Sequence, residues 1–222
     1  MSEVASAPGS TMSGGLAALL DDVAAGRYPA ADGAVTVMPQ PSARDAGVLA
    51  FTAHSVVFID ADPAWVRGLL PPGDLAGPML PSFVQSVCAR IGRRATSTDM
   101  LCVADARPGP VPIALDELTA ALHPRVERAL RYRDDVRAWA VPGGVLTIGR
   151  GVAGRWEVAV EIDPGYRDQG LGRKLIAAAR HLLPEGTGIW AQITPGNAAS
   201  VRAFLAAGYR PVGSEVHFIA AP

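Results

Sequence analysis

The sequence predicts a mixed α/β fold, an α+β arrangement of helices on a mixed sheet, on three observations. Apolar residues make up 49% of the 222, enough for a sizeable core. Short β-rich runs alternate with segments of helical periodicity along most of the chain. A glycine-containing loop at 167–172 joins an apolar run, 156–162, directly to a helical one, the strand–loop–helix order of an α/β unit.

Residues 1–13, rich in Ser, Ala, Pro and Gly, are expected to form a disordered tail. A small N-terminal α/β subdomain is expected over 14–96. Leu16, Leu19, Leu20 and Val23 share one helical face, which predicts a helix over 16–25. Ala34–Met38 reads as a short strand. Pro41-Ser42-Ala43-Arg44-Asp45 has the form of a helix start, with Ser42 capping and Val48, Leu49 and Phe51 on the apolar side. Ser55–Ile59 reads as a buried strand. Asp62-Pro63 opens a helix that runs to Leu70, with Pro at its first position. Ser82 is expected to cap a helix from Phe83 to Ile91.

A second domain is expected over 97–222. It starts with a strand, Asp99–Ala104, then two helices, Ile113–Leu122 and Arg125–Leu130, divided at Pro124. Val136–Val141 and Val145–Ile148 flank Pro142-Gly143-Gly144, a hairpin signal. Trp156–Ile162 is the next strand, followed by the loop and its helix. Ile189–Ile193 is a strand, and a helix from Asn197 ends at Gly208-Tyr209. A turn over Arg210–Ser214 is expected within a final strand pair that includes Val216–Ile219.

Composition narrows the function. The formal net charge is −1, and the mild cationic excess after residue 122 is too small to argue for nucleic acid. No stretch reaches membrane-spanning length. Cys88 and Cys102, like His54, His123, His181 and His217, lack metal-ligand spacing, so no metal is expected. Two buried thiols and the lack of a basic-then-apolar leader suggest a cytoplasmic protein.

The loop carries the chemistry. Gly170 and Gly172 let a ligand approach the backbone, and the N–H groups of the following first helical turn point outward. Arg167, Arg173 and Lys174 add positive charge for phosphate oxygens. Neither a dinucleotide fingerprint nor a Walker loop is present. Arg167-Asp168-Gln169-Gly170-Leu171-Gly172 resembles the acyl-CoA-binding motif Gln/Arg-x-x-Gly-x-Gly/Ala of the GCN5-related N-acetyltransferase (GNAT) superfamily. Asn197 and Ser200, opening a helix that stops at Gly208-Tyr209, resemble that family's second signature. The resemblance covers about 98–222.

The resemblance implies an acyl-CoA N-acyltransferase-like fold with an added N-terminal α/β subdomain, and acetyl-CoA or another acyl-CoA as cosubstrate. The strand backbone from Val160 to Ile162 would hold the pantetheine arm. Arg167, Asp168, Gln169, Gly170, Leu171, Gly172 and Arg173 would hold the pyrophosphate, with Asn197, Ser200 and Phe204 nearby. Many relatives carry at position 204 a Tyr that protonates the leaving thiolate; Phe204 has no proton to give. The implied reaction is direct attack of a primary amine, of a small molecule or a peptide, on the thioester. A homodimer is common among relatives. A non-catalytic acyl-CoA-binding or regulatory module is the alternative reading.

Residues 157, 159 and 161 share one strand face. Glu157 and Glu161 are therefore candidate catalytic carboxylates, whose mutual repulsion would raise one pKa toward neutrality; pairing with Arg or a place at the solvent edge is the alternative for each. His54, just before a buried strand, is the candidate substrate contact.

Overall fold

The structure, a computed structural model, describes residues 15–118 and 123–221. In chain order the elements are α1 (Leu16–Ala24), β1 (Val35–Met38), β2 (Gly47–Phe51), β3 (His54–Phe58), α2 (Pro63–Gly68), α3 (Pro81–Ile91), β4 (Arg93–Ala95), β5 (Asp99–Asp105), β6 (Asp116–Leu118), α4 (Pro124–Tyr132), β7 (Asp134–Val141), β8 (Gly144–Arg150), β9 (Trp156–Ile162), α5 (Leu171–Ala179), β10 (Gly188–Ile193), α6 (Ala198–Ala206) and β11 (Arg210–Ala220). The strands form one mixed sheet in the order β1-β3-β2-β11-β5-β10-β9-β8-β7-β6, with β4 paired to β11. The fold class is the mixed α/β one expected.

Period-two alternation sorts the core into layers. Cys102 and Ala104 of β5, Leu146 and Ile148 of β8, and Ile189 and Ala191 of β10 pack beneath α5 and α6. Their neighbours Leu101, Val103 and Trp190 point the other way, into a cluster built on α1. A third cluster joins Val48, Val57, Val216 and Phe218 to α2 and α3. Val126 of α4 covers Ala138 and Val145. Adjacent strand residues serve opposite layers because successive side chains leave a strand on opposite faces.

Segment 99–105 does not stay beside the strands that follow it in sequence. It inserts between β10 and β11, antiparallel to both, and β2 and β4 then pair with β11. Both sides of the expected boundary at 96–97 therefore contribute to one continuous sheet.

Four local expectations are corrected. Ser42 does make its capping bonds, accepting from the N–H groups of Arg44 and Asp45, but strand β2 follows instead of a helix. Gly47 and Val48 begin a ladder with β3 and β11, and sheet burial overrides the local cap. The start of α3 is set by Pro81 at its first position, with Leu80 as the flanking residue, so Ser82 does not cap it. Within the expected helix Ile113–Leu122, residues 116–118 form β6, paired to β7; residues 119–122, like the expected tail 1–13, lie outside the described residues. Arg210–Ser214 is not a turn. It belongs to β11, whose register against β5 shifts between Pro211 and Gly213; a bulge absorbs the extra residue without ending the strand. Among the described residues no helix is long and apolar enough to cross a membrane.

Candidate active site

Strands β9 and β10 run parallel but pair at only two positions, Ile189 with Trp156 and Trp190 with Glu157. Beyond them β9 stays bonded to β8 along its whole length, up to Ile162 opposite Gly144. From Val158 to Ile162 the β10-facing edge of β9 therefore has no partner strand, and unpaired backbone groups of this kind are strong ligands for an extended amide chain. At the start of the gap a side chain replaces the missing ladder: Gln192 Nε2 on β10 donates to Glu157 Oε1 on β9 over 2.8 Å.

A cavity of about 350 Å³ occupies this gap. Its walls come from β9 (Val158, Ala159, Val160), from Asn197, Ser200 and Phe204 at α6, and from Arg125, Arg128 and Arg133 at or just after α4. Since α4 and α6 cover opposite faces of the sheet, the cavity runs through the opening between the strands. The wall also includes Asp99, Thr96 and Asp45, and Glu215 and His217 of β11.

The phosphate-type loop lies at the far end of β9. After a short turn at Pro164–Tyr166, Gly170 adopts φ 78° and flanks α5, a left-handed conformation that favours glycine. No side chain caps α5, and its first intrahelical bond runs from Lys174 N to Gly170 O. The preceding N–H groups of its first turn are left for a ligand. Arg167 Nε donates to Ile162 O at 3.2 Å, and Gln169 Nε2 to Gly165 O at 3.1 Å, so both side chains brace the loop. Asp168 has φ 61°. A Cβ on Gly172 would meet Ile162 Cγ1 at 3.5 Å, an ordinary contact. The loop is also held from below: Asp163 N donates to Gly143 O, and the Tyr166 ring fills the space a Cβ on Gly143 would need.

Asn197 caps α6, its side-chain oxygen accepting from Ser200 N at 3.1 Å. Phe204 packs edge-on against Tyr209, ring centroids 5.0 Å apart. The Tyr209 hydroxyl is buried without a hydrogen-bond partner, and burial pushes its pKa up.

The acidic candidates are not a free pair. Glu157 is 3% exposed; Oε1 accepts from Arg155 Nε and Oε2 from Arg133 Nε, each at 2.9 Å. Burial pushes its carboxyl up, but the Arg155 and Arg133 guanidinium groups outweigh burial and hold it below the usual range. Glu161 accepts from Arg125 Nε at 2.9 Å. The expected rise through mutual repulsion is therefore corrected for Glu157: arginine pairing dominates. Arg155 continues the cluster, its Nη2 donating to both oxygens of Glu215 at 2.9 and 2.7 Å.

His54 sits elsewhere. It is buried on β3, 2.8 Å from Asp32 through Nδ1 and 3.1 Å from the Thr36 hydroxyl through Nε2, and does not line the cavity. The histidine that does is His217, with Nε2 2.8 Å from Glu215 Oε1. The sequence places His217 in a strand, Val216–Ile219, but that this strand walls the cavity depends on the strand order, which local periodicity does not carry. Among the described residues no group of three or more His, Cys, Asp or Glu could hold a metal ion.

The model of the acetyltransferase (GNAT) family matches residues 131–209. Among solved structures, a GCN5-related N-acetyltransferase from Kribbella flavida is 20% identical, with a TM-score of 0.40 over 63% of this chain and 64% of that one. A GNAT-family protein from Novosphingobium aromaticivorans is 22% identical, with a TM-score of 0.39 over 59% of this chain and 68% of that one. The chain thus spans somewhat less than two thirds of the Kribbella protein's length. Comparison with curated proteins gave no match.

Proposed function

We propose that this chain, which over residues 131–209 belongs to the acetyltransferase (GNAT) family, transfers an acetyl group from acetyl-CoA to a primary amine. Family membership supports acyl-CoA-dependent acyl transfer in general; acetyl as the group and an amine as acceptor are our reading. The observation that carries it is the parting of β9 from β10 after Glu157 and Trp190, in line with the uncapped start of α5. An extended arm with amide groups suits the bare edge of β9, and a pyrophosphate suits the first-turn N–H groups of α5 beside Arg167 and Arg173.

In this reading the Val160–Ile162 backbone orients the pantetheine arm, and Asn197, Ser200 and Phe204 line its other side. The acceptor enters from the wall formed by α4, Asp45, Asp99 and β11. Its nitrogen forms a bond to the thioester carbonyl as the C–S bond breaks. Glu157, with both oxygens engaged by arginines and Gln192, keeps the floor of the gap in shape. Glu161 remains a candidate to accept a proton only by giving up Arg125.

The non-catalytic acyl-CoA-binding module is favoured by one observation, Phe204, which offers no acid to the departing thiolate. Thiol release from acetyl-CoA with a panel of amines separates the two. Release above the amine-free blank supports the enzyme, whereas acetyl-CoA binding with no release in any mixture supports the module.

A further inference from the structure

We propose that His217 takes the proton from the acceptor's ammonium group, with Glu215 fixing its ring for that task; this rests on the acyl-transfer reading above. Both residues lie on the cavity-facing side of β11, and both line the cavity. The backbone that presents them is fixed twice by Thr96, whose hydroxyl accepts from His217 N at 3.1 Å and whose N–H donates to His217 O at 2.9 Å.

Glu215 is 2% exposed and cannot turn away, since Arg155 Nη2 grips both its oxygens. It stands 2.8 Å from His217 Nε2. That nitrogen is sealed from solvent and, despite the short distance, is not aligned for a hydrogen bond, so the contact with Glu215 is one of charge. A quarter of the side chain is exposed, and the open part of the ring lies away from Nε2. The negative charge of Glu215 beside Nε2 favours the tautomer with the proton on that nitrogen, which puts the lone pair on Nδ1. The alternative carboxylates are occupied by arginines, Glu157 by two and Glu161 by one.

The charged groups around His217 raise its affinity for a proton overall. Burial lowers its affinity for a proton and Arg155 lowers it further, while Glu215 on its own strand and Glu157 of β9 raise it, and the balance is a rise. Asp99 of β5, opposite Glu215 in the ladder, and Asp45 before β2 also line the cavity, against Arg44. Arg93 of β4 donates to the neighbouring Phe218 carbonyl.

The step balances without a further reagent. An ammonium N–H bond breaks and its proton moves to Nδ1, leaving the nitrogen lone pair free. That pair forms the C–N bond while the C–S bond breaks. The second proton shed by the nitrogen passes through water to the thiolate, and the imidazolium returns its proton to solvent. Ammonium and thioester become amide, thiol and one proton.

The test uses the full chain, acetyl-CoA and three probe amines: spermidine, tyramine and an alanyl tripeptide. Thiol release is followed from pH 5.5 to 9.5, with acetyl-CoA affinity measured calorimetrically for each protein. Wild type should show kcat/KM rising with pH through an inflection that matches the His217 midpoint read by NMR. In His217→Gln the inflection should vanish and kcat/KM fall about 100-fold, with acetyl-CoA affinity unchanged. Free imidazole should restore part of the rate of His217→Ala. An unchanged profile in His217→Gln, a parallel loss of acetyl-CoA binding, or an NMR midpoint away from the wild-type inflection would each overturn the proposal while leaving acyl transfer standing. No thiol release by wild type with any of the three amines would remove the acyl-transfer reading, and this proposal with it.

Discussion

Arg155 and Glu215 are joined by two contacts, 2.9 and 2.7 Å, that tie the approach to β9 to the middle of β11. Arg155 also holds Glu157, so one buried guanidinium compensates two buried carboxylates at the floor of the cavity. Its Nη1 has no partner. The cluster fixes how β9 and β11 stand across the gap, at the cost of removing several charges from water.

Removing the guanidinium should therefore be far worse than removing the cluster. Arg155→Met leaves Glu157 and Glu215 buried without it and is expected to cost about 3–5 kcal/mol in urea unfolding. The triple change Arg155→Met, Glu157→Leu and Glu215→Leu should recover much of that loss. A single variant as stable as wild type would show that the cluster is open to water.

Acid should dissolve the same cluster. Burial pushes Glu215 up, but Arg155 and His217 outweigh it and hold its carboxyl down to about 2 from the ordinary 4.5. A depressed folded pKa gives stability that is whole above 4.5 and is lost as pH falls toward 2. His217 has the opposite sign: held above 6.5, its contribution is whole below that value and fades as pH rises through the folded pKa. The Tm difference between wild type and Glu215→Gln should accordingly shrink from pH 6 toward pH 2. A constant difference over that range would contradict the assignment.

The phosphate-type loop depends on a hairpin turn far from it in sequence. Gly143 has φ 79°, and a Cβ there would fall within the Tyr166 ring. Gly143→Ala should lower Tm, through backbone strain of about 1 kcal/mol or more, and should weaken acetyl-CoA binding by displacing residues 164–166. Lost stability with unchanged binding would mean that the turn supports the fold and not the loop.

What the sequence revealed follows from how local each cause is. Trp156–Ile162 is observed with the expected bounds, and the loop with its glycines is legible because conformation and chemistry are set within ten residues. Asn197 was readable as a cap for the same reason. The segment 41–51 misleads because Ser42 makes genuine capping bonds while the strand fate of Gly47–Phe51 is decided by β11, more than 160 residues later. The bulge at Pro211–Gly213 has a turn's composition and is straightened by β5 and β2. Glu157 is legible from strand periodicity and Arg155 lies two residues before it, but its other partners Arg133 and Gln192 come from two distant segments, so which alternative governs its charge is not set by its own strand. His217 was missed and His54 preferred for one reason: the wall of the cavity is made by strand order, which inserts β5 between β10 and β11.

The central claim is that the gap between β9 and β10, with the loop at Gly170, holds acyl-CoA. Calorimetric titration with acetyl-CoA, for wild type beside Gly170→Val, tests it most directly. A branched side chain is strained at φ 78°, whereas thermal unfolding will report whether the fold survives. The account predicts micromolar binding by wild type and at least about a tenfold loss in the folded variant, on the order of 1.4 kcal/mol. Equal binding by both proteins, or none by folded wild type, would contradict it.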